Sequence, residues 1–269
     1  MKIGIAQLNS NDDIHKNFVE IKRIILEAEV EKPEVIFFPE NSLFMRIDPN
    51  SEVTAISLEN DMISELKDIC AKTKINIHLT TPILDDAKVY NASILIDSRH
   101  RAQIIYKKIH LFDIELAGQK PMKESDAFSA GKDPSVFNIK DFKLGSSICY
   151  DIRFAELYSV YAKANVDVIL VPAAFLVKTG QVHWEVLLKA RAIESQCYVV
   201  APAQVGRHKS ARSELVRETF GHSMIINPWG EISAIKKEGV GIFFTELSHE
   251  VLHGVRKQIP MKNHRRIDF

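Results

Sequence analysis

Three polar residues stand where apolar runs stop: Glu40 after EVIFFP, Lys108 after AQIIYK, and Cys149 at the end of LGSSI. Strand ends are where α/β proteins assemble their sites. These side chains cover one reaction between them. A carboxylate can take the proton of a thiol, and the thiolate can attack the carbon of an amide or a nitrile. An ammonium group then stabilises the tetrahedral oxyanion, with help from the backbone N–H of the residue after the nucleophile, here Tyr150. Base, nucleophile and oxyanion donor are present without a histidine. The strand-to-helix junction SSICYDIRFAEL would expose Cys149 at a sheet edge, and a helix N-terminus lowers a thiol pKa. A lone cysteine in such a place is more often a core residue, so the case rests on its company.

The company resembles a known family. FFPEN (37–41), YKKIHLFD (106–113) and SSICYDIRFAEL (146–157) match, in order, the three motifs of the nitrilase or carbon–nitrogen hydrolase superfamily. The resemblance runs essentially end to end. It implies Glu40 as general base, Lys108 as the lysine and Cys149 as the nucleophile. The second glutamate of the family falls on Glu124 in KES (123–125), where it would hold the lysine and substrate. No metal and no organic cofactor are implied, and a homodimer or higher homo-oligomer is.

Three further stretches narrow the branch: 118–125 (GQKPMKES), 172–208 (PAAFLVKTGQVHWEVLLKARAIESQCYVVAPAQVGRH) and 221–230 (GHSMIINPWG). They are similar to the deaminated-glutathione amidases, close kin of the ω-amidases. That similarity implies cleavage of a γ-glutamyl-like amide to 2-oxoglutarate and cysteinylglycine through a cysteine thioester. The rivals are an ω-amidase acting on 2-oxoglutaramate or another small carboxylated amide, and a silent scaffold of the same fold. Two features depart from the pattern: the insertion 209–219 (KSARSELVRET), and Ile47-Asp48-Pro49 in the loop after Glu40.

A small anionic amide needs cationic contacts. Arg153 lies four residues past Cys149, where its guanidinium could grip a carboxylate in a bidentate fashion or bridge a structural carboxylate such as Glu156. Arg207 opens a basic stretch, 205–219, whose Lys and Arg outnumber its Glu. Phe175, Thr179 and Trp184 are assigned to the pocket wall, with core packing an equal alternative for Trp184. Lys107 is expected to face solvent, because consecutive strand residues point to opposite faces. His110 and His222 read as structural.

Positioning these residues requires strands with helices between them. Residues 2–8, 34–38, 75–83, 89–97 and 101–108 read as strands, with helices at 14–28 and near 59–73. The second half repeats the theme: strands at 142–149, 166–172 and 197–205, and helices carrying Leu157, Val160, Tyr161 and Ala164, then residues 183–196. SMIIN, EISAIKK and GIFFTEL add strands before a last helix near 248–258. The order βαβαβββ followed by βαβαββββα, with no linker between halves, predicts one α/β domain over 1–269, a four-layer αββα sandwich with two helix-covered sheets.

Composition agrees. Apolar residues are 46% and charged residues 26% of the 269, which suits a folded chain with a large core. Lys+Arg 35 balance Asp+Glu 35, so there is no global field to attract nucleic acid or an anionic membrane. No run of about 18 apolar residues would span a bilayer, and the first apolar run is too short for a signal peptide. Three cysteines without C-x-x-C spacing point to a reduced, cytoplasmic setting.

Overall fold

Strand β1 (Lys2–Gln7) divides its side chains between two cores. Ile3 and Ile5 point into one with Leu144, Val168, Leu170 and Val200, while Ala6 points into another with Phe18, Ile21, Ile24 and Ile25 of helix α1 (Ile14–Ala28). The same period-2 division recurs in a second sheet. Its Val168, Leu170 and Val200 face the first sheet, and its Ile169, Val171 and Val199 face helices. Two facing sheets with helices outside each make the four-layer αββα sandwich of the α/β class. This computed structural model describes residues 1–115 and 122–267.

The first sheet is built from β1, β2 (Val35–Phe37), β3 (Asn76–Asp85), β4 (Lys88–Ile96) and β5 (Ala102–Lys107). Helix α2 (Asp61–Thr73) connects β2 to β3 and buries Ile63, Leu66 and Cys70. Asp13 and Asn60 cap the two helices by accepting backbone N–H bonds in the first turn. A two-residue pair, β6 (Asp113–Ile114) and β7 (Met122–Lys123), follows β5. The second sheet contains β8 (Ser135–Ile139), β9 (Phe142–Ser146), β10 (Val168–Leu170) and β11 (Tyr198–Ala201). Helix α3 (Ala155–Lys163), a single turn α4 (Val177–Thr179), a π-helical turn at Gly180–Trp184 and helix α5 (Glu185–Ser195) interleave with them.

Several expectations need correction here. The stretch 197–205 is not one strand: β11 ends at Ala201, with only isolated bridges at Ala203 and Gln204, and Val205–Lys209 becomes β12, which pairs with β13 (Val216–Phe220). The insertion 209–219 is therefore largely the end of a hairpin. Strand β8, unforeseen, covers the edge of β9. After β14 (Ser223–Ile226) and β15 (Ile232–Lys236), strand β16 (Gly241–Glu246) leaves the second sheet and pairs antiparallel with β1. The halves are thus interlocked and not equivalent. In α3, Val160 is 44% exposed and Tyr158 takes its place inside, where its hydroxyl meets Ser147 Oγ at 2.8 Å. Helix α6 (His249–Gln258) and a final turn α7 (Met261–His264) complete the described chain.

Candidate active site

The end of β9 is held tightly. Gly145 lies under the ring of Tyr161, and a Cβ there would come within 2.8 Å of ring carbons. After β9 the chain turns into a single 3₁₀ segment, Cys149–Arg153, in which Cys149 has φ +48°. That left-handed conformation costs a non-glycine residue about 1–3 kcal/mol, so the surroundings must impose it. They do. Cys149 N–H donates to Pro172 O at 2.9 Å. The fully buried Asp151 carboxylate accepts from Ile148 N–H (2.9 Å), the Tyr106 hydroxyl (2.7 Å), His110 N–H (2.9 Å) and His110 Nδ1 (2.7 Å). One carboxylate thereby ties the cysteine turn to the end of β5.

Beyond that end lies Lys108. Its neighbour Lys107 turns outward to Asp85 and the Tyr90 ring, whereas Lys108 is 2% exposed. Lys108 Nζ donates to Glu40 Oε1 at 2.8 Å and to Glu124 Oε2 at 2.8 Å. Asn91 Nδ2 from β4 donates to the same carboxylates, at 2.8 Å to Glu40 and 3.0 Å to Glu124. Phe112 N–H donates to Glu124 Oε2 at 2.7 Å. Glu40 is placed through its backbone: Gln204 Nε2 donates to Glu40 O at 2.9 Å, while Gln204 Oε1 accepts from Ser10 N–H.

Burial drives the electrostatics. It works to raise the Glu40 pKa, but the charge and hydrogen bond of Lys108, with smaller help from Cys149 and Arg217, outweigh it and hold the carboxyl below its ordinary value. Burial works to lower the Lys108 pKa, and Glu124 and Glu40 more than reverse that. Burial, then the Glu40 charge, push the Cys149 thiol well above its ordinary value against Lys108 and the Ala174 N–H. The expected lowering by a helix N-terminus is therefore corrected: α3 begins only at Ala155, and desolvation dominates. At rest the group consists of a thiol, a carboxylate and an ammonium. Such a set can pass a proton from sulfur to carboxylate once an electrophile arrives.

These residues open into a cleft between the two sheets' ends, lined by both polar and apolar side chains. Tyr150, Arg153, Phe175 and Thr179 line it, as do Arg46 and Arg217, which sequence reasoning did not single out as site residues. Arg153 lies over the rings of Tyr150 and Phe175 and meets His183 Nδ1 at 3.2 Å. Two expected wall residues are elsewhere. Trp184 is fully buried, packs against Phe175 at 4.7 Å and donates from Nε1 to His222 O at 3.0 Å, so it is core. Arg207 is exposed on the outer face of the β12–β13 hairpin and pairs with Glu218 at 3.1 Å. The register explains the exchange: Arg207 opposes Glu218, while the next pair, His208 and Arg217, faces inward. Of the stretch 118–125, residues 118–121 lie outside the described residues. Among the described residues no cluster of three His, Cys, Asp or Glu could hold a metal ion, and no helix is long and apolar enough to cross a membrane.

Comparison with known proteins places this geometry. Residues 2–257 match the family model described as carbon-nitrogen hydrolase. The nitrilase and fragile histidine triad fusion protein of Caenorhabditis elegans is 36% identical over 275 residues, 99% of this chain but 61% of the relative's length. Its crystal structure superposes with a TM-score of 0.85 at 34% identity, over 98% of this chain and 65% of that one. The deaminated glutathione amidase of Synechocystis sp. is 37% identical over 267 residues, 96% of each chain. The protein of that name from Homo sapiens is 34% identical over 276 residues, 99% of this chain and 83% of the relative.

Proposed function

Because the chain belongs to the carbon–nitrogen hydrolase family and is an amidase within it, we propose that it hydrolyses deaminated glutathione to 2-oxoglutarate and cysteinylglycine. The observation that carries this reading is the charge of the cleft: three arginines line it beside the buried Glu40, Lys108 and Cys149. The relatives bearing the name deaminated glutathione amidase supply the candidate. A substrate with a carboxylate at each end suits such a wall.

In the proposed mechanism Glu40 takes the Cys149 proton as sulfur attacks the amide carbonyl carbon. Negative charge gathers on the carbonyl oxygen, which Lys108 Nζ and the Tyr150 N–H hold. Glu40 returns the proton to the leaving nitrogen, the C–N bond breaks, and cysteinylglycine departs. The acyl group remains as a thioester on Cys149. Glu40, ionised again, takes a proton from water as the water oxygen bonds to the thioester carbon; the C–S bond then breaks, Glu40 returns the proton to sulfur, and 2-oxoglutarate leaves. Glu124 has a positioning role in this scheme. Its bonds to Lys108, Asn91 and Phe112 N–H keep the ammonium aimed at the oxyanion. Arg153, stacked on Tyr150 and Phe175, grips one carboxylate of the substrate.

The same reading carries a cytoplasmic setting, which three unpaired buried cysteines suit. It also carries a homodimer or larger homo-oligomer, for which the exposed Val182 and Val186 offer apolar surface.

Parallel kcat/KM measurements on deaminated glutathione, 2-oxoglutaramate and a neutral short aliphatic amide test the substrate. Deaminated glutathione is expected to exceed both. Preference for 2-oxoglutaramate would make the enzyme an ω-amidase, and a neutral amide turned over equally well would remove the anionic reading altogether.

A further inference from the structure

Arg46 and Arg217 reach the cleft from separate parts of the chain, the loop after β2 and the hairpin strand β13. Each is fixed by its neighbours. Met45 and Ile47, on either side of Arg46, are buried against Ala174, and Met45 N–H donates to Asn11 O at 2.9 Å. Arg217 opposes His208, whose ring is locked between Ser10 O and the Thr219 hydroxyl, both at 2.7 Å. The loop that carries the departure at 47–49 and the hairpin insertion thus each deliver one guanidinium to the same wall.

Neither guanidinium has a carboxylate partner at ion-pair distance among the described residues. Other arginines do: Arg191 meets Glu194, Arg256 meets Asp167 and Arg207 meets Glu218. Arg217 Nε is buried with no hydrogen-bond partner among the described residues, which is costly for a polar group. The carboxylates that line the same cleft are already committed. Glu40 and Glu124 share the Lys108 ammonium and the Asn91 amide. Asp126 and Asp48 also favour the Arg46 charge, whereas burial and Arg217 oppose it. Two like charges facing one cavity, with a donor left unpaired, are arranged for an anion that the protein does not itself provide.

We propose that Arg46 and Arg217 form a second carboxylate subsite of the cleft, distinct in its residues from Arg153, that holds a carboxylate of the substrate. The inference rests on the anionic-substrate reading above and deepens it. Arg153 is engaged by His183 and two aromatic rings, so a doubly anionic amide would be read at two places. The carboxylate could belong to the acyl half, next to the 2-oxo group, or to the glycine end of the amine half.

The test measures kcat/KM of the wild type and of Arg46→Met and Arg217→Met on four amides. These are deaminated glutathione, the same compound with its glycine carboxylate capped as a primary amide, 2-oxoglutaramate, and a neutral short amide. The ratio of carboxylated to neutral substrate is expected to fall ten- to hundredfold in each variant, through KM. Because both rates come from the same protein, partial unfolding does not alter the ratio. A ratio that falls for 2-oxoglutaramate places the acyl carboxylate at the pair, and one that falls for deaminated glutathione but not for its capped form places the glycine end there. An unchanged ratio overturns the subsite. Inhibition by glutarate, which needs no turnover, separates this from failure of the substrate reading. Glutarate should inhibit the Arg217→Met enzyme at least tenfold more weakly, even if the physiological amide is a different one, and equal inhibition overturns the proposal independently.

Discussion

Lys108 Nζ lies 2.8 Å from Glu40 Oε1, and both side chains are almost sealed from solvent, at 2% and 4% exposed. Lys108 keeps Glu40 charged at rest, because a carboxylate in a poorly solvated site needs a compensating charge, while Glu124 still compensates the ammonium when Glu40 takes up a proton. Charge is thereby stored where the proposed reaction needs it.

The first prediction separates two adjacent lysines. Lys108→Ala should lower kcat roughly 100-fold or more, the usual scale for loss of an oxyanion donor. Lys107→Ala should stay close to the wild-type rate, since that side chain faces Asp85 on the other side of the strand. Steady-state kinetics on the two variants checks this, and comparable defects in both would refute the assignment.

A second concerns pH. Glu40 must be ionised to act as base, and its pKa lies below the ordinary value, so its ionised form is lost only as pH falls through that lowered pKa. The acid limb of kcat/KM should then lie below about pH 4.3, the usual glutamate value. The Cys149 thiol is pushed upward, so iodoacetamide should alkylate it without the inflection near pH 8.5 that an ordinary cysteine gives. Such an inflection in the Cys149 peptide would contradict the resting thiol.

Two buried histidines set the acid stability. Burial lowers His78 to about 3, and burial chiefly lowers His208 to about 4. Below about pH 6.5 the unfolded chain takes up protons that the folded rings refuse, so stability present above that pH is lost as pH falls toward the folded values. At pH 5 each should cost about 2 kcal/mol relative to pH 7. His78 has both ring nitrogens buried without hydrogen-bond partners among the described residues. His78→Leu should therefore remove about half of the loss in urea unfolding between pH 7 and 5, and an undiminished loss would exclude His78 as a cause.

Asp151 provides a fourth. Asp151→Ala would strand the Tyr106 hydroxyl and the N–H groups of Ile148 and His110. At about 1–3 kcal/mol for each unsatisfied donor, unfolding experiments should show a loss of roughly 3 kcal/mol or more. Activity should fall further than the folded fraction does, because the strained turn at Cys149 loses its tether. A rate that merely tracks the folded fraction would show that Asp151 supports the fold alone.

The sheets and the residues at their ends were largely legible in the sequence, because the signals are local. Apolar alternation marks β1, and the reversal between Lys107 and Lys108 follows from strand geometry. The arginines were not legible for a complementary reason. Arg207 and Arg217 look equivalent in a basic stretch, and only the pairing of β12 with β13 decides which one turns inward. Trp184 sits five residues from Thr179, yet the π-helical turn between them directs it into the core. Strand β16 closes on β1 across most of the chain, a contact no local pattern encodes. The thiol pKa likewise depends on burial by residues remote in sequence, which outweighs any local effect of the turn.

The most direct measurement follows the acyl group. Deaminated glutathione labelled in its 2-oxoglutaryl half is mixed with enzyme, quenched in acid during turnover, and the protein is digested and analysed by mass spectrometry. The label should appear on the peptide carrying Cys149 as a thioester that hydroxylamine releases. In Cys149→Ala both label and turnover should vanish, with less than about a thousandth of the rate remaining, equivalent to a barrier increase of ~4 kcal/mol. A Cys149→Ala protein that keeps hydrolysing the amide above that level, with no label at position 149 in the wild type, would contradict the proposed nucleophile.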